Sequence, residues 1–189
     1  MMIKMEKGQE IALSKETPEV FVGIGWDVKK DDFEADFDLD ASAFLLGENG
    51  LVSSAPDFIY YRNLKHPSGA VVHSGDNVTG DGEGDDEAIT VDFAALPENV
   101  EKIAFTVSIY EAYERKQNFG QVKNAYIRFY DEDLGELFRY DLGEEFSDDT
   151  AVVFGELVKK DGQWAFKAVG EGLQGGIIAL SRRYGVFRK

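Results

Sequence analysis

One segment of the chain is built almost entirely from groups that bind hard cations. Ser74-Gly75-Asp76-Asn77-Val78-Thr79-Gly80-Asp81-Gly82-Glu83-Gly84-Asp85-Asp86-Glu87 holds six acids and four glycines and no basic residue. Glycines between acids let backbone carbonyls turn inward. Asp, Asn and Glu oxygens then complete the six to eight hard ligands that calcium prefers. A second acidic run, Asp31 to Asp40, contributes in another way. If it enters a strand, the two-residue period puts Asp36, Asp38 and Asp40 on one face and Phe37, Leu39 and Ala41 on the other. Neighbouring carboxylates about 6–7 Å apart repel by roughly 2–3 kcal/mol at an effective dielectric near 20. Such a row needs full solvation, as on an edge strand, or a cation.

Other metal chemistries fit less well. Asp81-Gly82-Glu83-Gly84-Asp85 lacks the twelve-residue order and flanking helices of an EF-hand, and the glycine-acid pattern occurs once, which excludes a repetitive calcium roll. Magnesium favours fewer protein ligands and more water. Zinc would want His or Cys, yet the chain has no cysteine, and His66 and His73 stand alone. His73 is expected to support the loop from a neighbouring strand.

The balance of 36 acidic against 20 basic residues, a net charge of -16, disfavours nucleic acid and anionic lipid as partners. The most basic group, Arg182-Arg183 with Arg188-Lys189, suits a helix end better than a binding patch. Lys4, Glu6 and Lys7 stand where a signal peptide needs an apolar run, and no stretch approaches the ~20 apolar residues of a membrane span. A cytoplasmic protein without direct membrane insertion is therefore expected. A metal-assisted hydrolase using the clustered carboxylates is the alternative, and it lacks support: there is no Gly-x-Ser-x-Gly elbow, cysteine nucleophile, phosphate loop or paired base.

Positioning these acids requires strands. Short alternating runs separated by turn residues occur at Glu10–Leu13, Val20–Trp26, Phe37–Leu46, Phe58–Tyr61, Val71–His73, Ile89–Phe93, Ile103–Tyr110, Ala125–Tyr130, Leu137–Leu142, Thr150–Val158 and Trp164–Val169. They predict an all-β protein, an antiparallel β-sandwich, as a single domain over 1–189. Lys160-Asp161-Gly162-Gln163 is the clearest hairpin signal. Leu173, Ile177, Leu180 and Tyr184 recur at helical spacing, so a minor C-terminal helix is expected over Leu173–Tyr184, although Gly175-Gly176 weakens its start. A short turn is expected near Pro97. Phe119, in Gln117-Asn118-Phe119-Gly120, either plugs a turn or marks a binding loop. Trp26 and Trp164 read as core aromatics.

Three stretches together point to a known family: Gly25-Trp26-Asp27; Phe37-Asp38-Leu39-Asp40-Ala41-Ser42-Ala43-Phe44-Leu45-Leu46; and the His73–Glu87 segment, with Gln117–Val122 and Asn124–Arg128 following. Over nearly its whole length the chain resembles the TerD family of bacterial tellurium-resistance and general stress proteins. That resemblance implies a β-sandwich with two adjacent calcium ions, a cytosolic location, and a role in resistance to tellurite and other stresses. It also implies action alongside related TerD-type proteins and a membrane-embedded partner. The family motif falls on Asp38, Asp40, Asp76, Asn77, Gly80, Gly82, Glu83, Asp85, Asp86 and Glu87 as candidate ligands, and on Asp27 as a ligand or a support. Asp31, Asp32, Glu34 and Asp36 lie outside the motif and are expected to be solvated. Direct capture of tellurium is not expected, since it would call for soft sulfur ligands or a cationic site.

Overall fold

The computed structural model describes residues 5–27, 36–132 and 134–187. Eleven strands lie on the eleven alternating runs: β1 Glu10–Ala12, β2 Glu19–Gly25, β3 Leu39–Leu46, β4 Phe58–Ile59, β5 Val71–His73, β6 Glu87–Asp92, β7 Lys102–Ile109, β8 Tyr126–Asp131, β9 Gly135–Asp141, β10 Ala151–Lys160 and β11 Gln163–Leu173. They form two antiparallel sheets. One has six strands in the order β1-β11-β10-β7-β3-β4, and the other five, β5-β6-β2-β8-β9. The Lys160–Gln163 hairpin joins β10 to β11 with Asp161 and Gly162 both at positive φ, 50° and 76°. That is the twist-matched two-residue turn its Asp-Gly pair favours.

Between the sheets, the alternate residues of each strand make one core. Leu39, Ala41, Ala43 and Leu45 of β3 and Ile103, Phe105, Val107 and Ile109 of β7 face Val20, Val22 and Ile24 of β2. At its centre Phe129 stacks on Phe166 with ring centroids 3.9 Å apart, beside Phe138 and Phe154. The Phe166 ring occupies the space a side chain at Gly155 would need, at the bulge of β10. Phe166→Ala is expected to cost about 3–5 kcal/mol, because the cavity opens between two rigid sheets. Chemical denaturation should show the loss in the midpoint with an unchanged slope.

Both faces of β3 are buried. Its opposite face, carrying Phe44 and Leu46, lies under a C-terminal helix whose Leu180 and Tyr184 complete a second cluster with Phe58, Ala104, Ala151 and Val153. This helix, α3 (Gly176–Arg183), is shorter than the period of its apolar residues suggests. Leu173 ends β11, and Gly175, at φ 98°, precedes the helix, whose first residue is Gly176 at φ 56°. Two four-residue helices, α1 (Ala112–Arg115) and α2 (Leu142–Glu145), fall in loops that carry no helical period in the sequence. The turn expected near Pro97 is present, Val100 N–H donating to the Pro97 carbonyl at 3.1 Å, and a 3-10 turn at Phe93–Ala95 precedes it.

Candidate metal centre

The start of β3 delivers two carboxylates to one point. Leu39 is anchored between the sheets, so Asp38 and Asp40 turn to the other side, where the loop after β5 brings Asp76. One carboxylate oxygen from each lies within 4.8 Å of the others. Asp38 is 7% exposed and Asp40 2%, whereas Asp76 is exposed. Asp38 Oδ1 and Asp40 Oδ2 are buried without a hydrogen-bond partner. Burial, then repulsion from Asp76, pushes Asp38 up to about 7, with Arg115 opposing. For Asp40, burial followed by Asp38, Glu87 and Asp76 raises it to about 9. Two buried carboxylates held this close to each other and to Asp76 cost free energy unless a cation meets them. The donors are hard oxygens, which fits calcium and not a thiophilic metal. Above them a cleft of about 370 Å³ is lined by Asp36, Tyr61, Val78, Thr79, Tyr110 and Arg115.

Glu87 lies beneath this cluster and does a different job. It is 1% exposed, and both its oxygens accept backbone N–H groups: Oε1 from Asn77 at 3.1 Å and Oε2 from Ala41 at 2.8 Å. It therefore joins β3 to the acidic loop. Gly75 donates its N–H to His73 Nδ1 at 3.0 Å, which places the ring proton on Nε2, 3.2 Å from Glu87 Oε2. That approach is an electrostatic contact more than an aligned hydrogen bond. His73 supports the loop, as its position in the sequence suggests.

A second acidic group forms around Asp86. Its Oδ2 accepts the Trp26 N–H at 2.8 Å and its Oδ1 the Asn77 side-chain amide at 3.3 Å. Burial raises the Asp86 carboxyl most, the Trp26 N–H opposes this, and the charges of Asp85, Asp81 and Asp27 add to the rise. Asn77 Oδ1 in turn accepts the N–H groups of Thr79 and Gly80, folding the loop around it. Gly80, at φ 73°, leaves no room for a side chain against the Trp26 indole. Trp26 is buried and donates Nε1–H to the Phe37 carbonyl at 3.0 Å. Asp27 is exposed and accepts from the Asn124 amide at 2.7 Å. It borders a polar crevice of about 640 Å³ together with Gly82, Gly84 and Asp86. Glu83 is exposed.

Asp85 points elsewhere. Arg128 grips it with Nε–H to Oδ1 and Nη2–H to Oδ2, each at 2.9 Å, and the Tyr126 hydroxyl donates to Oδ1 at 2.8 Å. The carboxylate rests on the outer face of the five-stranded sheet over Gly23, where any Cβ would overlap it. Its charge is already met by a guanidinium, so the structure separates Asp85 from the carboxylates that lack a partner. Arg128, Tyr126 and Gly23 carry no role readable from the sequence, although Arg128 and Tyr126 stand in the family-like Asn124–Arg128 stretch; Arg115, read from the sequence only as a neighbour of the candidate binding loop, faces Asp38 instead.

The remaining expectations sort simply. Asp36 is exposed, and its carbonyl accepts from Arg115 and Gln117; Asp31, Asp32 and Glu34 lie outside the described residues. Phe119 is fully buried, which makes its segment a plugged turn and overturns the binding-loop alternative. Trp164 is half-buried against Phe93, at the rim of the core.

Fold and site together define an antiparallel β-sandwich in which a glycine-acid loop meets a buried carboxylate pair at the end of a central strand. The TerD domain profile matches residues 1–184, and the chain belongs to the TerD family. It is 51% identical over 190 residues to the uncharacterized protein YceE of Bacillus subtilis (strain 168), covering 98% of this chain and 99% of that protein. General stress protein 16U of the same organism is 49% identical, with 98% of both chains covered. The tellurium resistance protein TerD of Serratia marcescens is 47% identical, again over 98% of each. Among solved structures, a homologue of the telluride resistance protein from Streptomyces coelicolor A3(2) shares the fold, with a TM-score of 0.75 at 19% identity over 87% of this chain and 95% of that one. Among the described residues, no helix is long and apolar enough to cross a membrane.

Proposed function

We propose that this TerD-family protein is a calcium-dependent structural or interaction module of the bacterial stress response, and that it does not act as an enzyme or bind tellurium directly. The observation that carries this reading is the cluster of Asp38, Asp40 and Asp76, whose carboxylate oxygens lie within 4.8 Å of one another with Asp38 and Asp40 buried. One calcium ion is assigned to Asp38, Asp40 and Asp76. A second is assigned beside Asp86, with Asn77, Asp27 and the backbone near Gly80 and Gly82 as its surroundings. Bound calcium would neutralise the acids and fix the loop on β3. Glu87 and Asp85 are read as supports for that arrangement, and Glu83 as a peripheral charge. The protein is placed in the cytoplasm, with related TerD-type proteins and a membrane-embedded partner as candidate partners and nucleic acid as none.

Calorimetric titration of calcium into chelator-stripped protein tests this, and two binding events are expected. At a hundredfold excess over Kd each site should add about 2.7 kcal/mol of stability. For a chain of this size that raises Tm by roughly 5–10 °C per site. Magnesium at equal concentration should restore less, because it gives up its waters reluctantly. A Tm indifferent to chelator would sink the reading. Affinity capture with and without calcium then asks whether a partner depends on the ion.

A further inference from the structure

The strand that carries Asp40 continues into a patch of polar groups sealed from solvent. On β3 the residues turned away from the other sheet are Asp40, Ser42, Phe44 and Leu46, because Leu39, Ala41, Ala43 and Leu45 face it. On β7 the same logic puts Ala104, Thr106 and Ser108 on that same outer face. Register then sets Asp40 opposite Ser108 and Ser42 opposite Thr106, a two-by-two block. All four side chains are buried, between 0% and 2% exposed. Asp40 Oδ2, Ser42 Oγ, Thr106 Oγ1 and Ser108 Oγ each lack a hydrogen-bond partner, so no two of them bond to one another.

Four adjacent buried oxygens without partners are rare in a folded protein, and ordered water is the usual way such groups are satisfied. The spacing suits it. Neighbouring strands run about 4.8 Å apart, and a water making two 2.8 Å hydrogen bonds spans up to about 5.6 Å. We propose that Asp40, Ser42, Thr106 and Ser108 form a buried water-binding pocket on the outer face of β3 and β7, continuous with the cation centre through Asp40. Its waters bond the inner oxygen of Asp40 and hold that carboxylate in the orientation a cation needs, which makes the three hydroxyl residues positioning residues. Only this effect on affinity rests on the calcium reading; the pocket itself belongs to the protein with or without the ion.

The sign of a stability change decides the matter. A dry, unpartnered hydroxyl destabilises the fold, so removing it with shape retained raises Tm, whereas a water-bonded one lowers Tm when removed. In the full chain, Thr106→Val and Ser108→Ala are each expected to lower the Tm of chelator-stripped protein by roughly 2–4 °C. They should also weaken calcium binding by about tenfold, while Thr106→Ser keeps the wild-type affinity. Nuclear Overhauser contacts from long-lived water to the Thr106 methyl in the unsubstituted protein give a readout that needs no variant. A rise or no change in Tm, or the absence of those water contacts, overturns the pocket. Affinity unchanged in both variants overturns the positioning role. Failure of the wild-type chain to bind calcium overturns the proposed function instead, and the Tm sign and water contacts still decide the pocket.

Discussion

Asp40→Asn should weaken calcium binding by more than about 100-fold, because losing a supporting group near a metal already costs 10–100-fold and here a proposed ligand is lost. The same substitution should stabilise the ion-free protein. Asp40 is held among Asp38, Glu87 and Asp76, with only Arg115 opposing, so an uncharged amide relieves repulsion and burial cost together. Opposite signs in the two states are what direct ligation requires. A change in the overall field predicts otherwise, since screening reduces distant surface charge to a modest effect. Glu48→Gln, which removes the same charge from an exposed turn, serves as the control and should leave calorimetric affinity within about twofold. Equal losses in both variants would show that the acids act as a field.

Glu87→Ala should be among the most damaging single substitutions in the molecule. It deletes two buried charge-assisted bonds, to Ala41 and Asn77, and leaves His73 facing an apolar gap. Removing one partner of such a buried arrangement typically costs about 3–5 kcal/mol. The loss should appear in urea denaturation of both ion-free and calcium-loaded protein, since the bonds join backbone to backbone whether or not a cation is present. Stability lost only in the loaded form would identify Glu87 as a ligand and overturn its reading as a support.

The strands were legible because nearly every one alternates with period two, and the acidic loop because its composition suits little except a cation. The division of labour within Asp85-Asp86-Glu87 was not. These three neighbours diverge to Arg128, to Trp26 with Asn77, and to Ala41, and apart from Asn77 these partners lie more than 40 residues away along the chain. Composition cannot say which acid is already neutralised. The hydroxyls of Ser42, Thr106 and Ser108 were missed for a related reason. Alternation marks them as the solvent face of a strand, but that face is buried as well, with Leu180 and Tyr184 packed on its Phe44 and Ala104, and nothing in the alternation announces that second layer. The start of α3 was misplaced because an apolar period does not register two consecutive glycines at positive φ.

The seat of Asp85 over Gly23 carries a consequence for how such sequences drift. Because any Cβ at position 23 would overlap that carboxylate, the two positions form one steric unit although 62 residues apart. A relative that gains a side chain at 23 has to shorten, lose or redirect the acid at 85, and Arg128 then loses its two short bonds to Asp85 and is left with Glu136, 3.5 Å away, and the Tyr130 ring. Substitutions at positions 23 and 85 should therefore appear together or not at all across a set of aligned relatives, while Asp38 and Asp40, answering to an ion instead of to one another's volume, should stay put where those two change.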